Sequence, residues 1–136
     1  MQGLHLTADL HRCRCDPAWL LDAEAGLAEC LRAVRSVGLQ AVATLAHSFE
    51  SAGAPPAGYT ATVLLAESHL CMHTWPELNA ATLDVYVCNF GADYSAKAHA
   101  LMHRLLALFD AERVEQHALQ RGYGPVMDAF TARAIA

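Results

Sequence analysis

The densest run of side chains able to do chemistry falls in one short stretch. Glu67, Ser68, His69, Cys71, His73 and Glu77 lie within eleven positions, and Asp84 and Cys88 follow. A serine hydroxyl is a poor nucleophile unless a base or a strained bond activates it. Histidine is the side chain best suited to be that base at neutral pH. A thiol, mostly protonated near neutrality, can hand a proton to a carbanion. His69, Cys71 and His73 alternate, so one face of a strand would carry all three, a fair geometry for zinc. No second ligand cluster accompanies them in the sequence, and no metal is expected.

These residues need a frame. Leu4–Leu10 alternates and reads as a first strand. Asp16 and Pro17 read as N-cap and first helical residue. Leu20, Ala23, Leu27, Leu31 and Val34 recur at helical spacing, with Gly38 as the stop, so residues 17–37 form one amphipathic helix. Leu39–Phe49 is a second strand, and the Gly- and Pro-rich Ser51–Gly58 is a loop. Tyr59–Ala66, His69–Trp75 and Ala81–Cys88 are strands. In the last, Leu83, Val85 and Val87 face one way, and Thr82, Asp84, Tyr86 and Cys88 the other. Asp93 or Ser95 caps a helix over 95–109, Glu112–Gln116 is a short final strand, and the tail after Gly122 has no assignment. The order predicts an α+β two-layer sandwich, an antiparallel sheet with helices packed on one face.

The bulk composition narrows the function. The chain has 136 residues, enough for a single domain with its own core. Its formal charge is −5 and it has no basic cluster, so nucleic acid is not an expected partner. No apolar run approaches the roughly 20 residues of a membrane span. Met1, Gln2 and Gly3 lead straight into the first strand without a signal-like segment, and a cytoplasmic protein is expected. Five cysteines, an odd number, argue against a disulfide framework.

The run Glu67-Ser68-His69, then His73-Thr74-Trp75-Pro76-Glu77, then Asp84 and Cys88, resembles the self-processing site of prokaryotic S-adenosylmethionine decarboxylases. The resemblance is densest over 59–89 and extends to His47-Ser48-Phe49 and His5-Leu6. It implies a chain that cuts itself between Glu67 and Ser68 into 1–67 (β chain) and 68–136 (α chain). The serine becomes a pyruvoyl cofactor that holds the substrate as a Schiff base. It further implies His73 as the processing base, Thr60 assisting where relatives commonly have serine, and Cys88 as proton donor to the substrate α-carbon. Glu77 would bind the substrate ribose and Phe49 would stack on adenine. The implied activity supplies the aminopropyl donor of spermidine synthesis. Ser68 and His73 are an odd number of residues apart, so on a straight strand they face opposite sides. A bend or bulge is therefore expected between them.

Leu78-Asn79-Ala80 departs from the aromatic- and glycine-containing stretch that relatives often carry beside the substrate pocket. That keeps open a related pyruvoyl-dependent ornithine or arginine decarboxylase. An unprocessed regulatory paralogue is a third reading, against which the intact Ser68, His73 and Cys88 speak. A sheet covered on one face leaves apolar surface for a second copy, and the resemblance likewise implies a homodimer of cleaved protomers.

Overall fold

The computed structural model describes residues 2–50 and 57–122. Most of the loop expected over 51–58, and the tail after Gly122, lie outside them. Six strands form one antiparallel sheet: β1 (Gly3–Cys13), β2 (Ala41–Ser48), β3 (Tyr59–Leu65), β4 (Ser68–Trp75), β5 (Ala80–Cys88) and β6 (Ala111–Arg121). Their spatial order is β2-β3-β4-β5-β1-β6. The helices are α1 (Ala18–Leu21), α2 (Ala23–Ser36) and α3 (Ser95–Phe109). Helix α2 packs on β2 and β3, and α3 on β1 and β5. The two-layer α+β arrangement expected from the sequence is the one adopted.

Strand alternation builds the core. Leu4, Leu6, Ala8 and Leu10 of β1, Leu70 and Met72 of β4, and Leu83, Val85 and Val87 of β5 are buried. Cys30 and Val34 of α2 and Leu101, Leu105 and Phe109 of α3 meet them, fully buried. Each large apolar side chain withdrawn from water contributes about 1.5–3 kcal/mol. Burial pushes the Cys30 thiol up to about 12, so this cysteine packs as an inert small side chain.

Two elements differ from expectation. The single helix over 17–37 is broken at Asp22, whose backbone is extended. Its carboxylate accepts hydrogen bonds from Glu24 N at 3.0 Å and Ala25 N at 3.1 Å, so it caps α2 and leaves α1 as a separate turn. Gly38, at φ +72°, does end α2. The final strand runs over Ala111–Arg121 rather than 112–116, because β1 offers a continuous antiparallel partner from Gly3 to Cys13. As an edge strand exposed on both faces, β6 has no alternation to betray its length.

A buried lock ties the helix layer to the hairpin of β3 and β4. Thr74 Oγ1 donates to Leu20 O at 2.9 Å and accepts from Tyr59 N at 3.0 Å. The Tyr59 hydroxyl donates to Trp19 O and lies against Gly26, where an added Cβ would come within 1.8 Å of it. Gly26→Ala is therefore expected to destabilise the fold by about 1–3 kcal/mol through overpacking. Asp22→Ala, which loses only a cap, should cost about 1 kcal/mol. Urea denaturation of the two variants beside the parent checks the ranking, and equal stabilities would contradict the lock.

Candidate active site

Leu65 pairs with Ser68, and Ala66 and Glu67 form the two-residue turn between β3 and β4. The Glu67-Ser68 bond therefore sits where the turn enters β4. Ser68 Oγ accepts a hydrogen bond from Cys88 N at 3.0 Å, which fixes the serine beside the end of β5. Both residues line a cavity of about 270 Å³. Residues 38–40, after α2, form one wall and residues 65–68 another, with Cys88, Tyr94 and Lys97 completing it.

The segment after Cys88 is pinned. Asn89 N donates to Gln2 O at 2.7 Å. The Asn89 side chain accepts from Tyr94 N at 2.9 Å and donates to Ser95 Oγ at 3.0 Å. Asp93 accepts from Ser95 N at 2.8 Å, and hydrogen bonds from Ser95 hold its carboxyl below the usual range. These contacts set where α3 begins, and so where Lys97 reaches the cavity.

Thr60 and His73 are neighbours across β3 and β4, with Thr60 Oγ1 and His73 Nδ1 2.8 Å apart. If Nδ1–H donates to Thr60, Nε2 keeps the lone pair that a base needs. Cys71 Sγ lies 3.6 Å from Nε2 and 3.3 Å from Thr62 Oγ1. Among the described residues no group of three His, Cys, Asp or Glu side chains is placed to hold a metal ion.

The bend expected between Ser68 and His73 is absent. Strand β4 keeps an unbroken register with β3 from Ser68 to His73, and the turn falls before Ser68. By alternation Ser68 belongs with Leu70 and Met72, toward the helices, whereas His73 belongs with His69 and Cys71 on the other face. Five residues at roughly 3.3 Å each separate the two by about 16 Å. The expected site residues thus fall into two groups. Glu67, Ser68 and Cys88 meet at one end of β4. Thr60 and His73 meet toward the other end, where Phe49 N bonds Gly58 O next to the start of β3, and Glu77 follows β4 in a 3-10 turn, Pro76–Leu78.

Asn79 ends that turn at φ +47°, a left-handed position that asparagine tolerates and glycine fills freely. Its carbonyl accepts from Cys13 N at 2.8 Å. The departure at 78–80 therefore has a backbone role. Lys97, Tyr94 and residues 38–40 escape the sequence reading because they come from elements distant in sequence from the motif. One signal was available: Lys97 is a cation in the first turn of α3, where the helix dipole disfavours positive charge.

A second cluster lies on the open face of the sheet. Arg121 Nη1 is 3.3 Å from His5 Nδ1, and His5 Nε2 is 3.0 Å from Asp84 Oδ1. Arginine can only donate, so Nε2 carries the hydrogen that goes to Asp84. The His69 and Tyr86 rings pack beside His5.

The fold and site define an α+β protein in which a serine at a hairpin turn and a cysteine at the end of the neighbouring strand line one cavity. The family model described as S-adenosylmethionine decarboxylase matches residues 4–122. The S-adenosylmethionine decarboxylase proenzyme of Persephonella marina is 35% identical over 125 residues, covering 91% of this chain and 85% of its own length. That of Parasynechococcus marenigrum is 37% identical over 136 residues, covering 98% and 94%. The crystal structure of the adenosylmethionine decarboxylase from Aquifex aeolicus superposes with a TM-score of 0.73 at 32% identity, covering 90% of this chain and 92% of that one. The chain belongs to the S-adenosylmethionine decarboxylase family. Among the described residues no helix is long and apolar enough to cross a membrane.

Burial holds the His69 imidazole below the ordinary histidine range, helped by His5 and Arg121 and opposed by Asp84. Above about pH 6.5 the ring is neutral in both folded and unfolded chains and contributes no pH dependence. Below it the unfolded chain takes up the proton more readily, so stability falls with falling pH. His69→Asn is expected to flatten that acid limb, seen as a smaller loss of melting temperature between pH 6.5 and 5 than in the parent. An unchanged limb would contradict the burial effect.

Proposed function

We propose that this chain is a pyruvoyl-dependent S-adenosylmethionine decarboxylase that makes its own cofactor by cutting the Glu67-Ser68 bond. The observation that carries the reading is the position of that bond, at a hairpin turn with the serine hydroxyl held against Cys88 N in a cavity. Family membership supports it. The Ser68 hydroxyl attacks the Glu67 carbonyl carbon, the amide C–N bond breaks, and an ester forms. A base removes the Ser68 α-proton, the Cβ–O bond breaks, and Glu67 departs as a carboxylate. Water then displaces ammonia, and residue 68 is left as a pyruvoyl group heading the chain 68–136. When formed, that group condenses with a substrate amine and accepts the electrons released on decarboxylation. In this reading the Cys88 thiol returns a proton to the substrate α-carbon.

The separation of Ser68 from His73 bears on how the site is assembled. A base must come within hydrogen-bond reach of the proton it takes, and about 16 Å along a straight strand is far outside it. The sheet face that no described helix covers exposes Leu64, and the flanking strands expose Leu45 and Leu119. We infer a homodimer in which each site combines Ser68 and Cys88 of one protomer with the partner's His73 and the partner's Thr60. The partner's Glu77 and the partner's Phe49 then hold ribose and adenine.

Intact mass under denaturing, reducing conditions tests the cleavage. Two chains split between Glu67 and Ser68 are expected, the second lighter by one ammonia than a serine-started peptide, and Ser68→Ala should stay uncut. Carbon dioxide release should be fastest from S-adenosylmethionine. Faster release from ornithine or arginine would overturn the substrate assignment, and an uncut parent chain would overturn the cofactor.

A further inference from the structure

Lys97 has no part in the account above, yet it lines the cavity that holds the Glu67-Ser68 bond. Its Nζ donates to Gly38 O at 2.8 Å, in the opposite wall, and lies 5.5 Å from the centre of the Tyr94 ring. An ammonium has three hydrogens, and the Gly38 contact uses one. Among the described lining residues Lys97 is the one cation and Glu67 the one carboxylate. Lys97 also stands at the third position of α3, where the helix dipole would favour an acidic residue. A positive charge kept at an unfavourable helix position, beside a bond whose cleavage creates an anion, calls for a use in that cleavage.

We propose that Lys97 is a catalytic residue of self-cleavage, binding the α-carboxylate of Glu67 as that group leaves Ser68. This rests on the self-cleaving reading. In the elimination, the base takes the Ser68 α-proton, those electrons form the Cα=Cβ bond, and the Cβ–O bond breaks. Its electron pair stays on the departing oxygen, so a full negative charge develops on a group that was neutral as an ester. An ammonium in the same cavity, with hydrogens left to offer that oxygen, stabilises the transition state more than the ester. The preceding acyl shift passes through a transient oxyanion and ends in a neutral ester, whereas the elimination leaves a lasting carboxylate for Lys97 to bind. Afterwards Lys97 pairs with the new terminus of the 1–67 chain, offsetting the two carboxylates that Glu67 then carries.

Lys97→Gln separates the charge from the packing, because its amide can still donate toward Gly38 O. The parent, Lys97→Gln and Lys97→Arg are made by cell-free synthesis, and aliquots are followed by intact mass with and without hydroxylamine, which cleaves esters. Lys97→Gln is expected to split on the order of 10- to 100-fold more slowly than the parent. It should accumulate full-mass chain that hydroxylamine cuts between Glu67 and Ser68, while Lys97→Arg restores most of the rate. Splitting of Lys97→Gln at the parental rate overturns the proposal, as does slow splitting with no hydroxylamine-sensitive chain, which moves the role of Lys97 to the acyl shift or to holding Gly38 and α3. A parent chain that never splits overturns the self-cleaving reading itself, and Lys97 falls with it.

Discussion

The two-residue alternation of strand β4 is the constraint on which the chemistry of this chain depends. Leu70, Met72 and Thr74 must all point into the helix layer, where each is buried. That fixes the opposite face for His69, Cys71 and His73, because a slip of one residue would exchange the two sets and empty the core. Ser68 shares the parity of the buried set and His73 that of the open set. No side-chain rotation brings the two together across a strand whose pairing with β3 and β5 is regular. Packing within one protomer therefore places Ser68 and His73, the proposed nucleophile and base, toward different ends of the sheet.

Each end is built by its own supports. At the Ser68 end, the hairpin turn presents the Glu67-Ser68 bond, Cys88 N holds the hydroxyl, and Asn89 ties the following segment to Gln2 and α3. At the His73 end, Thr60 orients the ring, and the bonds of Thr74 and Tyr59 anchor the same strands to α1. The neighbours Thr74 and His73 illustrate the division: one is spent entirely on stability, and the other is left half-exposed with its ring nitrogens near polar partners.

The fold was legible wherever burial imposes a period. The alternation of β1 and β5 and the apolar stripe of α3 are plain in the sequence, since one face of each packs into the core. Asp22 hid the break between α1 and α2, because the apolar spacing continues across it while its carboxylate turns back to cap the next helix. The length of β6 was hidden because an edge strand needs no apolar face. In the candidate site, the motif residues were readable from their types and spacing. Their division between two ends required knowing that the turn lies before Ser68, and Ala66 and Glu67 carry none of the glycine, asparagine or aspartate signals that mark a tight turn. Lys97 left only a faint mark in the sequence, a cation in the first turn of α3, because the packing of α3 near the end of α2 is what brings it to the cavity.

Mixing protomers tests the central claim, that each site draws on two copies of the chain. Ser68→Ala and His73→Ala are co-expressed with different tags and purified as a pair, and each chain is read by intact mass. Neither variant should be cut when expressed alone. In the mixed pair the His73→Ala chain should be cut between Glu67 and Ser68, because the Ser68→Ala partner supplies the histidine it lacks. A His73→Ala chain that stays whole in every verified pair would contradict the account and return the base to the same protomer as the serine.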